Sequence, residues 1–399
     1  MYDAKDTTTT SLPQRFRAKG FETTLLVIGA VFLFVLPIPH TATVRLACLF
    51  IAVLLSLVLL RRLGMVALPL KVPFVAWALV ASLSLTYAVK PEYSFGEIKT
   101  ELLYSFLAFF VFFTQTRGSR EWNLWLSAIV ISLLVLSASN VWLWYTLADA
   151  MSPRYFYNGV GAYTTYVVTV LPFVIFFLFK MPLRGLGRVL LRSSPLLLLV
   201  PVYLTVNRTV WIAVALLMLA LVPLLVVGSK SRTSKLVATG ALAIFFAGSL
   251  FFFYSSQVQR SVHAIDPRPE LWSFVVAEIV SNPLRGVGFG QHSFAYAYPQ
   301  WAQKNGVLVH THNLFLDAGI QMGVPGIAVM IFVFAAILFE YWRLYRSNHR
   351  WAQWLGACGI AMVIAVVARN MPDDFFRRDL ALLFWSLVGA SLGYGQRLL

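Results

Sequence analysis

Runs of about 20 apolar residues recur along this chain of 399. A helix needs about 20 residues to cross the hydrocarbon core of a bilayer, and lipid offers no partner to an open backbone. Such runs restrict the chain to a bundle of spanning helices. They fall at 21–39, 44–60, 72–89, 101–116, 122–147, 160–180, 193–207, 209–228, 236–254, 313–339, 352–370 and 379–395, about 12 transmembrane helices in all. Charged residues make up 12% of the chain, against about a quarter in soluble domains. The seventh run holds Pro195 and Pro201, so it is expected to be tilted or broken. Cys48 and Cys358 both lie in apolar runs and read as small core residues. Residues 1–20 are polar, and the first apolar run is followed by Pro37-Ile38-Pro39-His40, so no cleaved signal is expected.

Lys and Arg set the orientation, because short cytoplasmic loops are enriched in them. With the N-terminus in the cytoplasm, twelve alternating spans put 20 of the 32 basic residues inside and 11 of the 16 acidic residues outside. Moving one span would reverse the bias downstream. Both termini are therefore expected in the cytoplasm. The net charge of +16 is accounted for by the membrane surface, and no nucleic acid is needed to explain it. A Walker P-loop is not found, which argues against ATP-driven pumping.

Three parts follow: nine helices over 1–254, a loop over 255–312 facing the outside, and three helices over 313–399. The loop has structure of its own. Pro267-Arg268-Pro269-Glu270 reads as a helix start, and the apolar pattern to Ile279 as a short amphipathic helix on or near the membrane. Leu284-Arg285-Gly286-Val287-Gly288-Phe289-Gly290 reads as a turn whose bared backbone N–H groups would suit a phosphate. Tyr296, Tyr298 and Trp301 would serve a sugar face or a headgroup belt.

His310, His312 and Asn313 stand where this loop re-enters lipid, and ionisable groups there point to function. A histidine's ordinary pKa, near 6.5, lets a neutral imidazole take a hydroxyl proton. Its plainer role is an interfacial helix cap, and a third is a zinc ligand with Asp317 nearby. Arg208 has almost no loop around it, and either snorkels to headgroups or grips an anion with its planar fork. Arg268 opposes the dipole of the helix it opens, and Arg285 sits in the glycine-rich turn; each is otherwise a solvated charge. Asp373-Asp374 with Arg377-Arg378-Asp379 reads first as local salt bridges, second as a Mg²⁺ or base site.

His312-Asn313 followed by Gly323-x-x-Gly326 is similar to the signature of bacterial O-antigen ligases. Arg268, Trp272, Pro283, Gly286-Val287-Gly288 and the histidine pair resemble the wider O-antigen ligase and polymerase superfamily. After Gly326 this chain has Ile327-Ala328, where the family usually has a small polar residue and a glycine. The resemblance implies a GT-C-type glycosyltransferase of the bacterial inner membrane, with its active site facing the periplasm. Its substrates would be a polysaccharide on undecaprenyl pyrophosphate and a sugar hydroxyl of lipid A–core, with no cofactor or metal. By the same resemblance His312 would be the catalytic base, and Arg208 and Arg268 would bind the pyrophosphate. Arg285, His310 and Asn313 complete the candidate substrate contacts. The alternatives are an O-antigen polymerase of the same superfamily, and a transporter of lipid-linked oligosaccharide.

Overall fold

The computed structural model describes residues 12–63, 67–146, 159–180, 186–205, 207–226, 240, 247–248, 250–251, 267–301, 309–372 and 376–399. All regular structure among them is helical. The first half comprises α1 (Leu12–Val35), α2 (Ala42–Leu63), α3 (Lys71–Ser84), α4 (Pro91–Glu97), α5 (Tyr104–Gln115), α6 (Ser119–Thr146), α7 (Val160–Lys180), α8 (Leu186–Leu204) and α9 (Arg208–Val226). A π-helical stretch, Ile98–Leu103, joins α4 to α5. The second half comprises α10 (Arg268–Ser281), α11 (Ser293–Ala297), α12 (Leu314–Met322), α13 (Val324–Tyr345), α14 (Arg350–Asn370) and α15 (Arg378–Gln396).

Among the described residues α2, α6, α13 and α14 are long and apolar enough to cross a membrane, and α1, α3, α7, α8 and α9 are shorter apolar helices. The molecule is thus built as a polytopic membrane protein, apolar inside and out. Phe109, Phe112, Trp122 and Trp125 are buried, while Leu54, Leu79, Leu83 and Leu196 face outward at more than half exposure. A helix that is apolar all round has water on neither side.

Two expectations change. The run 313–339 is not one helix: Gly323, at φ 71°, separates α12 from α13. The run with Pro195 and Pro201 is not broken, since α8 continues through both prolines to Leu204. The run at 236–254 lies largely outside the described residues.

Without a hydrophobic drive between helices in lipid, close approach through small residues holds the bundle. In α15, Gly389 and Gly393 are four apart on one face and lie against the backbone of α5 at Phe109 and Phe113. Trp385 on the same helix packs against Phe74 of α3, with ring centroids 4.5 Å apart and the rings tilted by 46°. Helices α7 and α14 run antiparallel, because the Cys358 thiol donates to Pro172 O and the Arg369 guanidinium to Gly161 O.

Polar groups collect at both ends of the bundle. At one end are Glu101, Arg377, Arg45, Asp379 and the histidine loop; at the other are Arg117, Glu121 and Arg397.

Candidate functional site

The histidine loop is held from below by α12. Asn313, in extended backbone, caps that helix: its Oδ1 accepts from the N–H groups of Phe315 and Leu316, both at 3.0 Å. Asparagine is a favoured N-cap for this reason.

One turn into α12, the buried Asp317 carboxylate collects the loop. Its Oδ1 accepts from the Thr311 N–H (3.3 Å) and the Thr311 hydroxyl (3.2 Å). Its Oδ2 accepts from Gln321 Nε2 at 2.6 Å, an i,i+4 pair on one helix face. Gln321 Oε1 in turn accepts from the Gly290 N–H at 2.8 Å. A continuous chain of hydrogen bonds therefore runs from the histidine loop to the glycine-rich turn.

Pinned in this way, His312 takes φ 54°, a left-handed conformation that bulky residues rarely adopt. Such strain persists where the surroundings over-determine it, often at functional sites. The His312 N–H donates to His310 Nδ1 at 3.2 Å, which puts the proton of a neutral His310 on Nε2. The two imidazole rings lie 3.9 Å apart, centroid to centroid, at 33°. Both histidines are buried, at 6% and 8% exposure.

Helix α10 reaches the loop from the side: the Trp272 indole N–H donates to Thr311 O at 2.9 Å. Arg268 stands four residues before Trp272, so both share the face of α10 turned to the loop. That helix does more than lie on a membrane. Its Leu271, Val275 and Ile279 form a small core with Phe294, Trp301 and Ile320.

The glycine-rich turn departs from the phosphate-cradle expectation. The Val287 and Gly288 N–H groups donate to Ile320 O and Gln321 O, closing the C-terminal end of α12. The Phe289 N–H donates to Ser84 Oγ and the Gly290 N–H to Gln321. With these donors engaged, the turn is a seam between α12, α3 and α4. A side chain at Gly288 (φ 104°) or Gly290 (φ 109°) would strike Ala88 or Glu97.

Arg285 is exposed on the far side of this seam. It borders a pocket of about 250 Å³ with Tyr87, Glu278, Asn282 and Tyr298. His310 and His312 do not line that pocket. Of the aromatic stretch, Tyr298 and Trp301 pack on Phe274 at 5.0 and 5.3 Å, while Tyr296 is 41% exposed under the Lys90 ammonium. Burial and a hydrogen bond to Glu278 push the Tyr298 pKa up to about 12.

Arg208 opens α9 behind an Asn207 cap, whose Oδ1 accepts from the Thr209 N–H and hydroxyl. The side chain of Arg208, and the pair Asp373-Asp374, lie outside the described residues. Asp379 accepts from the Tyr166 hydroxyl and forms an ion pair with Arg45 at 3.7 Å.

Several residues enter that the sequence left unremarked. Thr311 and Gln321 pin the loop. Glu101 lines a narrow cleft with Asp317, Gln321 and Arg377. Arg369 is fully buried and donates to Thr164 and Gly161. The sequence signal for Arg369 was its place inside an apolar run rather than beyond it.

Fold and site together define a polytopic helical membrane protein with a buried, hydrogen-bonded histidine pair at one end of the bundle. Residues 194–331, about a third of the chain, match a family model described as O-antigen ligase. This match supports membership of the O-antigen ligase superfamily and a ligase- or polymerase-like glycosyl transfer. The matched span takes in Arg208, Arg268, Arg285, His310, His312 and Asn313. No curated protein matches the chain.

Proposed function

We propose that this protein is an O-antigen ligase. It transfers a polysaccharide from undecaprenyl pyrophosphate to a sugar hydroxyl of lipid A–core, on the periplasmic face of the inner membrane. The observation that carries the reading is the buried histidine pair, with His312 in left-handed backbone, lying inside the region that matches the family.

The chemistry follows from the residues. The leaving group is a pyrophosphate, so the barrier falls as arginines take up its developing charge in a poorly hydrated site. Arg208 and Arg268 are assigned that role, and Arg285, which borders a separate pocket, is not. The acceptor hydroxyl loses its proton to His312 as it attacks, a step worth about 10²- to 10⁴-fold. Attack opposite the leaving group inverts the anomeric centre. His310 holds His312 through the N–H···Nδ1 bond, and Asn313 and Asp317 hold the loop. No metal is assigned a part. In this reading twelve spans place both termini in the cytoplasm.

A strain lacking the protein tests the assignment. A ligase predicts bare lipid A–core with long chains accumulating on undecaprenyl pyrophosphate. Lipopolysaccharide carrying single repeats would instead make the protein a polymerase, and unmodified lipopolysaccharide would set both aside.

A further inference from the structure

At the end of the bundle away from the histidines is a cavity of about 410 Å³. Leucines of α1 and α2 wall one side of it. Arg117, Arg120 and Arg397 supply three positive charges, against two carboxylates from Glu22 and Glu121. Arg117, on the short link between α5 and α6, and Arg120, in the first turn of α6, are exposed.

Arg397 sits deeper. It donates to Phe113 O, Thr116 O and Gly393 O, at 3.2, 3.0 and 2.6 Å, and so ties the ends of α5 and α15 together. Burial, and then the like charge of Arg117, lower its pKa. Glu121 opposes that shift, and the residues lining the cavity still carry one more cation than carboxylates.

Gln115 also lines the cavity. Its Nε2 donates to Ala52 O (3.1 Å) and Ser56 Oγ (2.8 Å), which fixes the orientation of the amide. Its Oε1 is then a buried acceptor with no hydrogen-bond donor, in a side chain only 1% exposed. Such an acceptor is costly to leave unmet, and it calls for a ligand that brings a hydroxyl.

We propose that this cavity binds a phosphate ester carrying a free hydroxyl, with the phosphate between Arg117 and Arg120 and the hydroxyl donating to Gln115 Oε1. The leucine wall accommodates the carbon skeleton. The glycerol phosphate headgroup of an anionic lipid and soluble glycerol phosphate share this chemistry. The site is far from the histidine loop and does not depend on the reaction assigned there.

Thermal melting of the purified full-length protein in neutral detergent decides it, with phosphatidylglycerol, phosphatidylcholine or glycerol 3-phosphate added. Phosphatidylglycerol should raise the melting temperature and phosphatidylcholine should not. The double variant Arg117→Gln/Arg120→Gln, altered only at exposed positions, should need about tenfold more lipid for the same rise. An equal response to glycerol 3-phosphate, also weakened in the double variant, would assign the site to a soluble ester. A double variant that responds like the wild type, or a wild type that answers to none of the three, overturns the proposal.

Discussion

Asp317 decides whether the histidine loop keeps its shape. Three donors converge on its buried carboxylate: the Thr311 N–H, the Thr311 hydroxyl and Gln321 Nε2. Each buried donor left unpaired costs about 1–3 kcal/mol. Asp317→Ala should therefore release Thr311 and let His312 leave its φ of 54°. Transfer should fall by at least about tenfold although both histidines remain, since a 1.4 kcal/mol loss of positioning already gives that factor. Transfer rates of the purified variant check this, and an unchanged rate would remove Asp317 as a positioning residue. His292 offers a pH test at the same scale. Burial and then the charges of Arg377 and Arg378 lower its pKa below the ordinary 6.5, with Glu97 opposing. The unfolded chain then binds a proton that the folded chain resists, so stability falls as pH drops below about 6.5. Melting temperature between pH 7.5 and 5.5 should drop less for His292→Gln than for the wild type.

At the scale of elements, the glycines carry the arrangement. Gly323 turns the chain between α12 and α13, and Gly326 lets α13 lie against the Ala318 carbonyl of α12. A methyl group at Gly326 would overpack that contact, at a cost of about 1–3 kcal/mol. Gly326→Ala should lower the melting temperature and the transfer rate together; a variant as stable as the wild type would show that α12 and α13 have room to part. The positions of most helices were legible in the apolar runs, and α7 at 160–180 coincides with its run. The break at Gly323 was not, because a glycine flanked by Met322 and Val324 leaves the hydropathy of the run high. The glycine-rich turn was read as a phosphate cradle because sequence shows the donors but not their acceptors. Those acceptors, Ile320 O, Gln321 O and Ser84 Oγ, come from distant segments.

For the whole molecule, one end of the bundle gathers the histidine pair, α10 with Arg268, the cleft of Glu101 and Arg377, and the ion pair of Arg45 with Asp379. The histidines were legible as site residues because polar groups at the mouth of an apolar run are costly. Thr311 and Gln321 were not, since a threonine before a helix and a glutamine in its last turn carry no such signal alone. Arg285 was grouped with the others by its turn, yet it borders a different pocket across α12. The central claim is that His312 takes the acceptor proton. The most direct measurement is transfer by purified protein in detergent, from undecaprenyl-pyrophosphate-linked polysaccharide to lipid A–core, comparing wild type with His312→Ala. With no compartments to cross, a transporter would show no transfer. The account predicts product from the wild type and a loss of about 10²-fold or more in a variant that still folds. Wild-type rates from His312→Ala would contradict it.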